Sequence, residues 1–215
     1  MNSNYITIKQ AVSNETVIQK SRFICYLQRT ETEEEAQEFI NFIKNQHKGA
    51  NHNCSAYVIG NQNQIQKAND DGEPSGTAGV PMLEVLKKQQ VRHVTAVVTR
   101  YFGGIKLGGG GLIRAYGSAV SEAIKASGLV ECVNHLRYNV KIDYHLLGKI
   151  ENNLRSSVYL LNEIKYTDNV NLLIDVRAEQ AEEFTEWMTS ITSAQATCTV
   201  EFEHFIEIDC QTNKY

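Results

Sequence analysis

The sequence lacks a long apolar stretch. No run of about 18 consecutive apolar residues, the length that a membrane-spanning helix needs, occurs anywhere in its 215 residues. The first ten residues also lack the basic and apolar regions of a secretory signal peptide. We therefore expect a cytoplasmic protein with no membrane contact. A hydrophobic content of 42% is enough to bury the core of one large domain or two modest ones.

Paired cysteine motifs are missing as well. The five cysteines form no C-x-x-C pair, and their number is odd: Cys25, Cys54, Cys132, Cys198 and Cys210. Such a set does not fit a disulfide framework. We expect these residues to be buried free thiols in a reducing compartment.

Acidic residues are absent from one stretch in particular. Arg92–Arg114 contains Arg92, Arg100, Lys106 and Arg114 but no Asp or Glu. The net charge of −4 is divided into +2 over residues 1–135 and −6 over residues 136–215. Because the chain as a whole is too acidic for indiscriminate polyanion binding, the basic stretch predicts one localised anion site.

The hydrophobic pattern predicts an α+β chain with two domains, residues 1–132 and 136–211. The first domain is predicted to begin with two strands within 5–28, separated by a polar break at 13–15, and a helix capped by Thr32. A strand over 54–59 and a helix capped by Ser75 or Thr77 follow. An apolar strand over 94–99 and a helix over 112–126 complete the domain. The second domain is predicted to follow the order β-α-β-β-α-β, that of a ferredoxin-like split βαβ domain.

A glycine-rich segment, RYFGGIKLGGGGLIRAYG over residues 100–117, lies between the last strand and the last helix of the first domain. It matches neither the P-loop nor the G-x-G-x-x-G fingerprint. Open glycine backbone before a helix nevertheless suits an anion, because the helix start presents unpaired N–H groups and positive dipole charge. The predicted nucleic-acid or anion site consists of Arg100, Tyr101, Phe102, Gly103, Gly104, Lys106, Gly108, Gly109, Gly110, Gly111 and Arg114. The alternative is structural: the glycines allow close packing, and the cations pair with Asp70 or Glu73.

A second group of polar residues precedes this segment, and it forms a candidate polar site: His52, Cys54, Asp70, Asp71 and Glu73. Side chains two residues apart on a strand point to one face, so His52 and Cys54 could form a nucleophilic pair. The carboxylates could hold Mg²⁺. The alternatives are a buried thiol and a solvated turn that caps a helix; no metal-binding spacing is present.

Four motifs carry a family resemblance: KSRFI at residues 20–24, HNCSAY at 52–57, DDGEPSGTAGVP at 70–81, and the segment over 100–116. Together they resemble the Impact/YigZ family over residues 20–125, and the region after 136 is similar to the smaller C-terminal domain of bacterial members. Asn51 and Thr99 depart from the residues usual in the family, without touching the charged positions.

The resemblance implies a first domain like the second domain of a small-subunit ribosomal protein and domain IV of elongation factor G. It implies a second domain like domain V of that factor. Eukaryotic members regulate translation through a different accessory domain, so that role is not carried over. The family has no established catalytic residues, and the resemblance implies no cofactor and no metal.

These expectations favour a non-enzymatic protein that binds RNA or the ribosome through the basic glycine-rich segment, as a regulator of translation or stress. One alternative is a hydrolase or transferase that uses the same segment to hold a phosphorylated small molecule. Another is a protein-interaction module. The acidic second domain would repel phosphate, which favours a protein partner for it.

Overall fold

The computed structural model describes residues 3–210. These residues form two compact units, residues 3–132 with 208–210 and residues 133–207. The predicted domain bounds, 1–132 and 136–211, stay a prediction. Residues 1, 2 and 211 lie outside the described part of the chain.

The elements that begin before residue 133 are β1 Tyr5–Ile8, β2 Val12–Ile18, β3 Ser21–Arg29, α1 Glu33–Gln46, β4 His52–Ile59, β5 Ile65–Asn69, α2 Gly79–Lys88, β6 Val94–Tyr101, α3 Gly108–Ser127 and β7 Leu129–Ile142. The elements that follow are α4 Leu147–Arg155, β8 Leu160–Tyr166, β9 Val170–Arg177, α5 Ala181–Thr192 and β10 Thr197–Asp209. The predicted α+β architecture is confirmed, and the paired strands are antiparallel.

The main sheet of the first unit has the strand order β2-β3-β6-β4-β5, and all its neighbours are antiparallel. Alternate residues of β4 face opposite sides: Ala56 belongs to the core shared with α2 and α3, whereas Tyr57 packs with the buried side of α1. Since helices cover both faces, the central strands β4 and β6 are almost continuously buried.

The N-terminal strands differ from the prediction. Ser13–Glu15 do not break the strand but lie inside β2, where every second side chain is exposed. The chain reverses instead at Gln19 and Lys20, whose φ angles of 46° and 65° fit a two-residue hairpin turn. Polar residues in a half-exposed edge strand were therefore mistaken for a turn. Thr32 caps α1 as predicted, its hydroxyl accepting from the Glu35 N–H at 3.2 Å.

In the second unit the order β7-α4-β8-β9-α5-β10 is the predicted one. The strands lie in the order β10-β7-β9-β8. One side of the sheet, with Val140 and Leu172, packs against apolar residues of the two helices such as Ile150 and Phe184.

No helix within residues 3–210 combines the length and apolarity required to cross a bilayer. All five cysteines are free thiols; Cys25, Cys54 and Cys132 are buried, and Cys198 and Cys210 are half-buried.

Candidate functional site

Helix α3 begins at Gly108, four residues earlier than the predicted start at Leu112. The poor helix propensity of glycine was the reason for the later prediction. The chain enters the helix through Gly108, whose φ of 69° lies in the left-handed region that favours glycine. Leu107, which precedes it, provides no side-chain cap. The first turn of α3 is thus bare backbone with uncapped N–H groups.

The glycines of the segment have two different roles. A side chain at Gly103 would lie only 2.0 Å from the carbonyl carbon of Lys20, so this glycine permits close packing against the β2–β3 turn. Gly109 and Gly110 have no such neighbour: an added Cβ would meet its nearest atom at 3.9 Å and 3.6 Å, respectively. Both are exposed. The structural interpretation therefore applies to Gly103, whereas Gly109 and Gly110 leave the backbone open, as an anion site requires.

A cavity of about 400 Å³ lies at the start of α3. Four segments form its walls: the start of β4, the turn after β5, the end of β6 and the first turn of α3. The lining residues on which the argument depends are His52, Glu73, Arg100, Phe102, Lys106 and Gly109. The cavity brings together residues from both predicted sites.

Arg100 and Glu73 form a buried ion pair at the wall of this cavity. The Arg100 Nη1 donates to Glu73 Oε1 at 2.6 Å, and their side chains are only 7% and 3% exposed. The Tyr116 hydroxyl donates to the same carboxylate oxygen at 2.8 Å. The Arg100 guanidinium lies over the rings of Phe23 and Phe102, at 5.4 Å and 5.6 Å from their centroids. Glu73 therefore neutralises Arg100, as the structural alternative predicts.

Lys106 and Arg114 are in a different situation. Both are exposed, and neither forms an ion pair with any residue in the part of the chain that the structure describes. Lys106 lines the cavity, whereas Arg114 lies beside Gly110 on the outside of the helix. Two unpaired cations and the positive end of the α3 dipole therefore share one surface.

His52 and Cys54 face the same side of β4, but they form no nucleophilic pair. The His52 Nδ1 donates to the Asp71 carbonyl at 2.9 Å, and its Nε2 lies 3.8 Å from Glu73 Oε2. The Cys54 Sγ donates instead to the Asp70 carbonyl at 3.0 Å. Burial is the main cause that raises the pKa of Cys54 to about 12. Because a thiol with so high a pKa yields little thiolate, Cys54 is a core residue.

Asp70 and Asp71 stabilise the turn that contains Glu73. The Asp70 carboxylate accepts from the N–H groups of Gly76, Ala78 and Gly79, at 2.8 to 3.1 Å. Burial acts to raise the pKa of Asp70, but these hydrogen bonds lower it below its usual value. Asp70 thus does the capping that was predicted for Ser75 or Thr77; helix α2 has no side-chain cap at Ala78, the residue before it.

Asp71 is bound to Lys44 at 2.6 Å, and it accepts from the Asn53 N–H at 2.7 Å. Within residues 3–210, no cluster of three or more His, Cys, Asp or Glu side chains is arranged so that it could hold a metal ion. The carboxylates of the turn therefore do not assemble the Mg²⁺ site considered from the sequence.

Tyr101 and Phe102 point in different directions. The Tyr101 hydroxyl bonds to His47 Nδ1 at 2.8 Å, away from Arg100. Phe102 is 45% exposed at the cavity. The sequence reasoning missed Tyr116, although a tyrosine predicted to face inward needs a partner for its hydroxyl. The binding roles assigned to the segment are not tested by this geometry and stay predictions.

Residues 19–124 match the family model of the Impact N-terminal domain, and residues 140–195 match that of a domain of unknown function, DUF1949. IMPACT family member YvyE of Bacillus subtilis (strain 168) is 58% identical over 193 residues, which cover 90% of this chain and 89% of the relative. The chain belongs to the IMPACT family. The resemblance recognised from the sequence motifs is confirmed.

Other members of the IMPACT family are more distant. A member from Haemophilus influenzae is 37% identical over 90% of this chain and 95% of its own. Protein IMPACT-B of Xenopus tropicalis is 36% identical over 94 residues, 41% of this chain and 29% of the relative. A crystal structure of a hypothetical protein, 34% identical, superposes with a TM-score of 0.60 over 91% of this chain and 96% of that one.

Proposed function

We propose that this IMPACT family member is a cytoplasmic, non-enzymatic protein that binds RNA, free or on the ribosome, and regulates translation. The observation that carries the proposal is the pair of unpaired cations, Lys106 and Arg114, around the bare first turn of α3. Cations and uncapped N–H groups are the donors that bind a phosphate backbone. The implied likeness of the two domains to a ribosomal protein and to domains IV and V of elongation factor G supports the same partner.

The apolar residues of the same surface fit RNA better than a small anion alone. Phe102, Ile105 and Ile113 are 45%, 41% and 45% exposed. An exposed aromatic ring beside cations provides a platform on which an unpaired base can stack. We therefore place single-stranded RNA, or an unpaired ribosomal segment, across the start of α3.

Binding of single-stranded RNA and co-sedimentation with ribosomes, each measured over a salt series, test this proposal. The test variant combines Lys106→Gln with Arg114→Gln. Loss of two phosphate contacts is expected to weaken binding at least tenfold at low salt and to reduce the slope of log affinity against log salt by about 1.4.

The matched control combines Lys88→Gln with Lys125→Gln. These lysines are also exposed, but they lie in the last turns of α2 and α3 and do not line the cavity. The control removes the same charge from the same unit and is expected to bind as the unchanged protein does. Equal losses in both variants, or no loss in either, would refute the assigned surface.

A second candidate is an enzyme that acts on a phosphorylated small molecule. His52 Nε2, 3.8 Å from the buried Glu73 Oε2 at the wall of the cavity, favours it, because an imidazole beside a carboxylate can exchange protons with a ligand. Release of phosphate from nucleoside or sugar phosphates, abolished by His52→Asn, would establish this activity in place of the first proposal.

For the second unit we propose a protein contact. Val200 and Phe202 on β10 are 50% and 49% exposed, among acidic residues that repel phosphate. Cross-linking to ribosomal proteins that is lost in Val200→Ser/Phe202→Ser, while binding of free RNA is retained, is the expected result.

A further inference from the structure

Arg100 retains hydrogen-bond donors that the protein does not use. Only its Nη1 donates to another side chain, that of Glu73; within residues 3–210 its other guanidinium nitrogens have no hydrogen-bond partner. The side chain is only 7% exposed, yet it lines the cavity. Since a buried donor without an acceptor costs free energy, a ligand oxygen beside Arg100 would be stabilised.

Two further kinds of donor line the same cavity. Lys106 is an unpaired ammonium group at its wall, and Gly108 and Gly109 contribute the uncapped start of α3. A guanidinium, an ammonium and backbone N–H groups, contributed by the end of β6 and the start of α3, thus converge on about 400 Å³. That volume is within the range of small-ligand sites.

The walls favour the end of a chain over its middle. Four segments of the protein line the cavity. An internal phosphodiester is joined to a sugar on each side, so two strands of the nucleic acid would have to pass out between these walls. A terminal phosphate monoester enters from one side only. It also carries a charge of about −1.5 to −2 and three acceptor oxygens, which matches the three kinds of donor. Phe102 at the rim is placed to stack on the adjoining base.

We propose that this cavity binds the terminal phosphate monoester of a nucleotide, at the end of an RNA chain or on a free mononucleotide. The inference rests on the proposed RNA binding and adds which group of the RNA is recognised. Buried Arg100 orients the phosphate, Lys106 and the first turn of α3 supply charge and donors, and Phe102 covers the base.

The test compares RNA oligonucleotides of one sequence that carry a 5′-phosphate, a 3′-phosphate or hydroxyl groups at both ends, together with a nucleoside monophosphate. With the unchanged protein, at least one phosphorylated end is expected to bind about tenfold more tightly than the all-hydroxyl RNA. The nucleoside monophosphate is expected to compete for that excess affinity.

Two pairs of matched variants separate the cavity from the surrounding surface. Gly109→Val and Lys106→Gln alter lining residues. Each is expected to reduce the ratio of the affinities for phosphorylated and all-hydroxyl RNA to about one. Gly110→Val adds the same side chain one residue later, outside the cavity lining, and Arg114→Gln removes the same charge outside it. Both are expected to retain the tenfold preference, although each binds every RNA more weakly because Gly110 and Arg114 belong to the proposed RNA surface.

The outcomes distinguish the two proposals. Salt-dependent binding of all RNAs without a preference for a phosphorylated end overturns this inference and leaves the proposed RNA binding in place. A preference that survives Gly109→Val also overturns it. Binding of the mononucleotide with no binding of any RNA supports the monoester cavity and overturns the proposed RNA function. Circular dichroism of every variant is the control for retention of the fold.

Discussion

The two units contain nearly the same arrangement of side chains, with different consequences. In the first unit Phe102 covers Arg100, which is paired with the buried Glu73. In the second unit the ring of Phe202 lies 5.3 Å from the guanidinium of Arg137, which is paired with the buried Asp175 at 2.6 Å. Each carboxylate also has a histidine nearby, His52 at 3.8 Å and His204 at 3.4 Å.

The difference lies in how many hydrogen bonds each pair completes. Arg137 donates from both Nε and Nη2 to the two oxygens of Asp175, and Asn162 donates to the same carboxylate at 2.6 Å. Arg100 uses Nη1 alone and borders a cavity. An arginine that contacts an aromatic ring and a carboxylate does not by itself indicate a binding site. Unused guanidinium donors beside a cavity do indicate one.

The largest expected effect comes from removing each carboxylate. Glu73→Gln leaves Arg100 buried without a counter-charge, so we expect a loss of about 3 kcal/mol in the free energy of unfolding. Asp175→Asn is expected to cost less, about 1–2 kcal/mol, because the Arg137 side chain is 21% exposed and water can solvate it. Urea unfolding, followed by circular dichroism, measures both changes.

Phosphate sharpens this first comparison. If Arg100 faces an anion site, inorganic phosphate should bind folded Glu73→Gln more tightly than the unchanged protein and raise its melting temperature more. Asp175→Asn should gain nothing beyond the unchanged protein. Equal stabilisation of both variants by phosphate would mean that the two arginines do not differ as described.

The phenylalanines that lie over the two arginines, Phe102 and Phe202, give a smaller effect and a more closely matched pair of variants. Phe102→Leu and Phe202→Leu each remove a ring from an arginine, at a similar cost in stability of about 0.5–1 kcal/mol. Only Phe102→Leu should weaken RNA binding, by about tenfold, because it alone removes a stacking platform at the proposed site. The RNA affinities of both variants at one salt concentration decide the point; an equal loss in the two would contradict the assignment.

Most of the fold could be predicted from periodicity and capping chemistry, since these depend on neighbouring residues. The helix capped by Thr32 and the β-α-β-β-α-β order of the second unit are examples. The errors occurred where a local signal was ambiguous. Polar Ser13–Glu15 fit both a turn and an edge strand, and four glycines at the start of α3 disfavour a helix that the following residues and the tertiary packing nevertheless impose.

The candidate site could be predicted less completely, because its key contacts join distant residues. Arg100 and Glu73 are 27 residues apart, and the sequence offers Asp70 and Glu73 equally as partners. Only the turn geometry decides between them: Asp70 caps α2, Asp71 binds Lys44, and Glu73 alone faces Arg100. Lys106 and Arg114, the cations of the segment over 100–117 that have no ion pair within residues 3–210, could be named from the sequence but not told apart from Arg100.

The smallest expected effect is a pH dependence of stability that arises from Asp175 in the second pair. Burial acts to raise the pKa of Asp175, but hydrogen bonds from Arg137 and Asn162 together lower it below its usual value. A carboxyl with a lowered pKa in the folded state stabilises the fold above its unfolded pKa of about 3.9, and this contribution is lost as the pH falls through the folded value. The slope contributed by one such group is at most about 1.4 kcal/mol per pH unit.

Fluorescence of Trp187, the single tryptophan, reports on the second unit because it packs against Tyr159 and Phe184. Below pH 4, urea unfolding followed by this fluorescence should depend less on pH in Asp175→Asn than in the unchanged protein. Asp175→Asn should bind phosphorylated RNA at neutral pH as the unchanged protein does, because Arg137 lies in the second unit, outside the residues that line the proposed phosphate cavity. A loss of RNA affinity in this variant would assign the second pair a binding role and remove the contrast between the two units.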